Sequence, residues 1–512
     1  MSPSKDESES WYYGIDARMD VVSLLAARSS TYPFQPFTEE TRDEPYGSPW
    51  KEGKRKAIFT IGNHKITTIY DSELRLRVRE ILSSITWKTT DVVRLGYEDE
   101  PSYPVILITV DINGIDEDSA QDAVCKIHEL MIKFGLPDIH AEIKTGRLFE
   151  QAIYDGDIYN QNRHYPLELF RVPKIGASIG SANSGSMGSI CVFLKIDGSN
   201  YALTCQHVVT ASSEALTPRN DPDIIIQPAK KDLQDYETNR DYGIEEEKWV
   251  LEEFDAKKLK SKKEGASPVL EGMGEKAKLS LNKLNCCIAD KLRTQHVRLP
   301  FGILAHAPEI LTHPLTNHNR DWALVKLNDE RFQTLPPNVL PPPRFTLVER
   351  SKIREVYSRS LALHGLLYNV VTITTILALE ELNRICDKSR PLEHQDYESL
   401  HVFKHGCTSG WTAGVLNEIR SDCCSGSGSQ TMEYCVVNIP GLNYFSYQGD
   451  SGACVFDIEG RIVGMLHSSN GENIPFGAEI TYLTLMEWII QDIKNTLKTE
   501  DVVIEKHIEE QD

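Results

Sequence analysis

The stretch Gln448-Gly449-Asp450-Ser451-Gly452-Ala453-Cys454-Val455-Phe456, continuing as DIEGRIVG to Gly464, decides the fold. Glycines on both sides of Ser451 let the backbone turn tightly enough to present the hydroxyl and to aim consecutive amide N–H groups at one point. Such a turn can be a mere surface feature. Here it leads straight into Ala453 to Phe456, an apolar run that reads as a buried strand, so turn, nucleophile and core strand are locked together.

Working upstream, the segment SANSGSMGSICVFLKIDGSNYALTCQHVV (181–209) has short strand-like runs punctuated by Gly and Ser turns, the pattern of an all-β barrel or sandwich. Ile190 to Ile196 turns at Asp197-Gly198 into Tyr201 to Val209, a hairpin signal. His207 stands at the end of that hairpin, where an imidazole titrating near neutrality can serve as a general base. Taken alone, such a histidine is more often a satisfied structural residue. Between these two stretches lies DWALVKL (321–327), with Asp321 opening an apolar run. A buried carboxylate there requires a partner, since an unpaired one is costly. Its bland reading is a strand-initiating turn.

Jointly, LTCQHVV, DWALVKL and GDSG, in that chain order, resemble the His, Asp and Ser motifs of the trypsin/chymotrypsin-like serine peptidases. GSMGSICVFL before the histidine hairpin adds to the likeness. So does KHGCTSGWTAG (404–414), which is similar to a strand-turn pattern of intracellular, fungal-type trypsin-like domains. The resemblance covers about 175–495 and implies a chymotrypsin-like double β-barrel. It implies a serine endopeptidase with His207, Asp321 and Ser451 as the catalytic triad and the backbone N–H groups of Gly449 and Ser451 as the oxyanion hole. In secreted members the acid before the nucleophile pairs with an amino terminus released by cleavage. Asp450 holds that position, but no Ile-Val-Gly-Gly start precedes the barrel, so no such activation step is expected and the partner of Asp450 stays open.

By the same likeness, the primary pocket would be built from Phe445 at its base, Ser446 and Gln448 on one wall, and Leu466, His467, Ser468 and Ser469 on the other. With Phe445 in place of an acid, a preference for Lys or Arg is not supported. Strand alternation turns His467 away from the position that reads substrate in acid-preferring relatives and toward Asp321.

The remaining sequence sets the context. The chain has 512 residues, 55 Lys+Arg against 75 Asp+Glu, and a formal charge of −20. That balance, without a basic stripe, argues against nucleic acid as a partner. No apolar run reaches membrane-span length, and MSPSKDESESWYYG lacks the basic and apolar regions of a secretory signal. A cytoplasmic location follows as the expectation, with the 11 cysteines as reduced thiols. The adjacent pairs Cys286-Cys287 and Cys423-Cys424 fit no metal clip, and neither a metal nor another cofactor is expected.

Residues 1–66 read as a partly ordered arm. A small α+β domain follows over 67–160, in the order helix (capped at Asp71 or Ser72), strand (89–98), strand (104–112), helix (120–134, stopped by Gly135) and strand (138–146). It carries no catalytic cluster, and an interaction role, such as binding a regulatory protein, is its default. The intervals from His207 to Asp321 and from Asp321 to Ser451 demand insertions. One lies near 229–300, densely charged and read as a solvated helix or loop; the other lies near 346–390, with helix-like spacing in TITTILALEELNRIC (372–386). The acidic tail 496–512 is expected to trail into solvent. Two functions are compatible with this sequence: an endopeptidase acting on proteins or peptides, or a catalytically silent peptidase-fold module that binds partners.

Overall fold

A computed structural model describes residues 3–12, 15, 24–34, 56–97, 100–111, 116–150, 172–210, 223–264, 280–283, 300–308, 312–343, 345–356, 366, 367, 369, 371–386, 399–425, 428–440, 442, 444–470 and 480–505. The Cys286-Cys287 pair, residues 265–279 and 284–299 of the first insertion, and the end of the acidic tail lie outside the described residues.

The N-terminal unit begins within the segment expected to be an arm. Helix α1 (Lys5–Ser10) is followed by strands β1 (Leu25–Arg28) and β2 (Lys56–Phe59). This part of the chain is held by aromatic anchors rather than by periodicity. Trp11 Nε1 and Tyr12 OH both donate to Glu142 Oε2 at 2.9 Å, and both rings are buried.

The helix expected from Asp71 starts differently. A 3₁₀ turn (Lys65–Thr68), with its first N–H groups met by His64, and a π-helical turn (Tyr70–Leu74) lead into α2 (Arg75–Ile81). Asp71 does not cap it; its carboxylate is spent on Arg75, 2.5 Å away. Strands β3 (Trp87–Tyr97) and β4 (Tyr103–Val110), helix α3 (Glu117–Lys133) and strand β5 (His140–Thr145) follow in the predicted order. Asp116 caps α3 by accepting the Ser119 N–H at 3.0 Å, and Gly135 stops it with φ +70°. Ala120, Ala123, Val124, Ile127, Leu130 and Met131 of α3 pack with Leu74, Val78 and Leu82 over the sheet, with Phe134 partly buried at the end of the stripe. The sheet runs β1-β5-β4-β3, with β4 and β5 parallel.

Strand β3 divides its outer edge. Arg94 to Tyr97 pair with β2, whereas Thr89 and Thr90 pair with Cys423 and Asp422 of the catalytic-region sheet. The N-terminal sheet is thus continuous with the barrel that follows. A short strand, β6 (Phe149–Glu150), closes the unit.

The first barrel layer contains β7 (Ser178–Ser181), β8 (Gly188–Ser189), β9 (Val192–Ile196), β10 (Ser199–Thr204), β11 (Ile224–Ile226), β12 (Gly302–His306) and β13 (Ala323–Leu327). Their order is β9-β10-β13-β12-β11-β7-β8. The predicted β9–β10 hairpin is present, turning at Asp197 and Gly198. Between β11 and β12 the charged insertion forms a long helix (Lys230–Glu264).

In the second insertion, Leu347–Val356 and Leu379–Cys386 are helical, but Thr375–Ile376 (β14) is a strand parallel to Arg461 and Ile462. The helix-like spacing of 372–386 therefore holds only for its second half. Strands β15 (His401–Gly406), β16 (Gly410–Leu416), β17 (Ser421–Cys424), β18 (Gln430–Asn438), β19 (Cys454–Asp457), β20 (Arg461–Ser469) and β21 (Ile480–Leu485) complete the chain's second layer. Six of them close on themselves in the order β15-β16-β18-β21-β20-β19 and back to β15. Together with the open N-terminal layer this is the expected chymotrypsin-like double β-barrel, preceded by an α+β unit.

Helix Met486–Leu497 packs against this barrel, and β22 (Val502–Val503) then pairs with β9. The first part of the tail is thereby tied to the first barrel rather than trailing into solvent.

Candidate active site

The three motif residues converge between the two barrels. Strand β10 ends at Thr204, earlier than the sequence pattern implies, and a short helix, Gln206–Val209, carries His207. The strand stops because the backbone turns toward Asp321: the His207 N–H donates to Asp321 Oδ1 at 3.1 Å, and the Gln206 N–H to the Asp321 carbonyl at 3.4 Å. The other carboxylate oxygen, Oδ2, lies 2.5 Å from His207 Nδ1. On the far side of the ring, Nε2 is 2.8 Å from Ser451 Oγ. With Nδ1–H donated to the carboxylate, neutral His207 presents a lone pair at Nε2 to the serine.

Ser451 Oγ has a second acceptor, the carbonyl of His467, at 3.0 Å. His207 and Asp321 are buried and Ser451 has no exposed surface. Burial by itself raises the Asp321 carboxyl, but the His207 charge and hydrogen bonds, with His467 adding to them, hold it below the usual carboxylate range.

The residues flanking Asp321 are also fixed. Arg320 Nε and Trp322 Nε1 both reach Asp492 Oδ2 on helix Met486–Leu497, at 2.8 and 2.6 Å. The serine turn needs its glycines. Gly449 has φ +98° and Gly452 φ +87°, and a Cβ on Gly452 would stand 2.2 Å from the Ser189 carbonyl. The Gly449 carbonyl accepts from Ser189 Oγ at 3.1 Å and from Cys407 Sγ at 2.8 Å. Because that carbonyl is tied inward, the peptide plane beside the expected oxyanion donors has a defined orientation.

The expected pocket residues separate into two groups. Phe445 is fully buried in the barrel core with Leu377, Val402 and Leu483, and its backbone is held by Asn438 and Thr412. Ser446 Oγ meets Thr481 Oγ1 at 2.8 Å, and Gln448 is half-buried. His467 sits at a bulge, where the β20–β21 register shifts between Leu466 and Ser468. Its ring faces Glu433, Nε2 to Oε2 at 3.4 Å, and Ser468 Oγ, 2.8 Å from Nδ1. The His467 ring also helps to lower the Asp321 carboxyl. Ser469 and Ser468 pair with Phe149 and Glu150 of β6, so the chain's own strand lies along this edge.

Glu433, Lys404 and Asp492 are site-supporting residues that the motif reading missed. Burial raises the Glu433 carboxyl, yet contact with His467 and the charge of His318 keep it below the usual range. Its sequence signal is a lone acid inside the strand TMEYCVVN. Lys404 belongs to the KHGCTSG segment and reaches Asp450, the acid whose partner the sequence left open: Nζ lies 2.9 Å from Oδ2.

Donor atoms of Cys205, His207 and Asp321 fall within 4.8 Å of one another. All are already engaged within the protein: Cys205 Sγ donates to the Leu466 carbonyl at 3.3 Å, the Asp321 carboxylate accepts from His207 Nδ1–H, and His207 Nε2 accepts from Ser451 Oγ. This commitment accounts for their closeness without a metal ion.

The paired barrels, with His207, Asp321 and Ser451 meeting between them, give the chain a chymotrypsin-like fold. Residues 352–498 match the profile of peptidase family S64. Solved structures similar to this chain include a glutamic-acid-specific serine protease (12% identity, TM-score 0.28, covering 65% of this chain and 100% of that one). Protease A of Thermobifida fusca is similar at 9% identity and TM-score 0.30, over 65% and 100% of the two chains. Chymotrypsin of Cellulomonas bogoriensis matches at 9% identity and TM-score 0.28, over 65% and 98%. Among the described residues, no helix is long and apolar enough to cross a membrane.

Proposed function

We propose that the chain is a cytoplasmic serine endopeptidase of fungal type that cleaves peptide bonds of protein substrates. The observation that carries this reading is the continuous hydrogen-bonded line Asp321–His207–Ser451 at 2.5 and 2.8 Å. Ser451 Oγ attacks the scissile carbonyl as His207 Nε2 takes its proton; His207 then gives the proton to the leaving amine. Asp321 keeps the ring in the required tautomer and stabilises the imidazolium. The Gly449 and Ser451 N–H groups receive the oxyanion, an interaction made as charge develops and worth about 10²–10³ in rate per donor. Neither step calls on a cofactor. Phe445 and Ser446, at the positions expected for the base of the primary pocket, carry no charge, which suits an uncharged substrate side chain.

One observation favours a held-back form of this enzyme over a silent binding module. Extended peptides bind sheet edges by adding a strand, and the edge beside Ser451 already carries β6 at Ser468 and Ser469. Substrate on that edge would displace the strand, and Ser451 has no exposed surface. The partner of the N-terminal unit in this reading is the barrel itself, joined through β3 and β17. Hydrolysis of denatured protein by wild type, absent in Ser451→Ala, tests the assignment; equal activity of the two proteins refutes it.

A further inference from the structure

The neighbours of Asp321 decide which way it points. His318, Arg320 and Trp322, alternate residues of the segment leading into β13, all meet the helix Met486–Leu497. Trp488 stacks on the His318 ring, with centroids 5.3 Å apart and planes inclined by 14°. Asp492 Oδ2 accepts from Arg320 Nε at 2.8 Å and from Trp322 Nε1 at 2.6 Å, and Oδ1 accepts from Arg320 Nη2 at 3.0 Å. Trp488 and Asp492 are four residues apart and so share one helix face. Alternate side chains of an extended segment point to opposite sides. Holding residues 318, 320 and 322 on the helix therefore turns Asp321 the other way, toward His207.

The helix follows β21 and packs on the second barrel, which carries Ser451, whereas Asp321 and His207 belong to the first. Met486, Ile489 and Ile493 enter the core that also holds Val192, Leu324 and Phe456. Beyond the helix the chain returns to the first barrel. There β22 pairs with Lys195 and Ile196, Thr499 Oγ1 donates to Asp197 Oδ1 at 2.6 Å, and the Asp197 N–H donates to the Asp501 carbonyl at 3.2 Å. The hairpin gripped in this way is β9–β10, whose second strand leads to His207. Asp492 itself is buried, a place where a carboxylate is tolerated only with charged and hydrogen-bonding partners such as these.

We propose that the segment 486–503 is a clasp across the two barrels, and that Asp492 is the positioning residue that sets Asp321, and through it His207, against Ser451. The proposal rests on the peptidase reading above and adds to it what aligns the two halves of the triad. Asp492 touches no substrate; it acts through Arg320 and Trp322. Without its carboxylate both donors lose their anchor, the alternation no longer fixes Asp321, and the imidazole shifts relative to the serine.

The test measures kcat and KM of the full chain on a peptide substrate, well below the unfolding midpoint, together with that midpoint. Asp492→Ala removes all three bonds and is expected to lower kcat by about 100-fold, the scale of an ångström's misplacement, with KM nearly unchanged. Asp492→Asn keeps an oxygen for Trp322 Nε1 and Arg320 Nε and is expected to turn over at least about tenfold faster than Asp492→Ala. Arg320→Gln is milder, because the arginine side chain is a fifth exposed and Asp492 keeps Trp322. It is expected to lose about tenfold in kcat, and it carries the test if Asp492→Ala does not fold. Asp422→Ala weakens the junction with the N-terminal unit instead, and should lower the midpoint without lowering kcat. Wild-type kcat in Asp492→Ala or Arg320→Gln overturns the positioning role while leaving the peptidase reading intact, and so does a kcat that merely follows the midpoint through all four variants. A wild type without turnover refutes the peptidase reading and the positioning role with it.

Discussion

Asp321 grips His207 from two directions, through its ring Nδ1 at 2.5 Å and through its backbone N–H at 3.1 Å. Both carboxylate oxygens are therefore committed to one residue, and the imidazole is fixed in tautomer and in position. Asp321→Asn keeps the shape but offers an amide that can present a donor to Nδ1, reversing the tautomer. The expected result is a fall in kcat of about 10⁴ with KM little changed. Steady-state kinetics of the purified variant measure it, and a loss under tenfold would show that Asp321 does not orient the base.

Phe149 and Glu150 lie antiparallel on Ser469 and Ser468. Proline has no backbone N–H to contribute to such a ladder. In Phe149→Pro/Glu150→Pro the tethered competitor is released, and KM for an extended peptide substrate should fall by about tenfold or more, in keeping with millimolar effective concentrations of tethered segments. Unchanged KM would mean that substrate does not use this edge.

Asp422 Oδ1 accepts from Arg75 Nη1 and Arg79 Nη2, each at 2.6 Å, where the N-terminal unit meets the barrel. The Asp422 and Arg75 side chains are almost wholly buried, whereas Arg79 is a quarter exposed. Asp422→Ala removes the buried partner of Arg75, which keeps only the half-exposed Asp71 as a carboxylate partner, and should cost about 1–3 kcal/mol. Arg79→Ala leaves one pair intact and should cost about 1 kcal/mol or less. Urea unfolding of the two variants distinguishes these outcomes; equal costs would contradict the role given to burial.

Asp91 of β3 sits at the same junction, accepting from Tyr482 OH at 3.1 and 3.2 Å and from Thr89 Oγ1 at 2.9 Å. Burial outweighs these bonds and lifts its carboxyl to about 6. An aspartate in the unfolded chain titrates near about 3.9. Between these values the folded state binds more protons, so this group's contribution makes stability decline as pH rises from about 4 to about 6, and the contribution is flat above that. The wild-type stability relative to Asp91→Asn should therefore decline over that interval. A difference independent of pH would show that folding does not raise the Asp91 carboxyl.

The parts of the site legible in the sequence are those fixed by local rules. Ser451 lies between two glycines that its turn requires, and a core strand follows at once; Asp321 opens a buried strand; Asp197 and Gly198 mark the hairpin. What the sequence hides depends on distant partners. Trp322 and Asp492 are 170 residues apart, and nothing in an amphipathic helix identifies Asp492 as the tether for the Asp321 loop. The short helix bearing His207 escapes the strand pattern because the pull comes from Asp321, 114 residues on. Residues 1–66 lack periodicity, yet Trp11 and Tyr12 anchor their start on Glu142. Single aromatic anchors carry no repeating signal. Lys404 stood within a recognised motif, but its role became visible only beside Asp450.

The most direct measurement for the central claim is covalent labelling of the full-length protein by a fluorophosphonate, with the modified residue located by peptide mass spectrometry. One phosphonyl group is expected on Ser451, absent in Ser451→Ala and added orders of magnitude more slowly in His207→Ala. Labelling elsewhere, or an unlabelled Ser451 in the wild type and in the Phe149→Pro/Glu150→Pro variant alike, would contradict it.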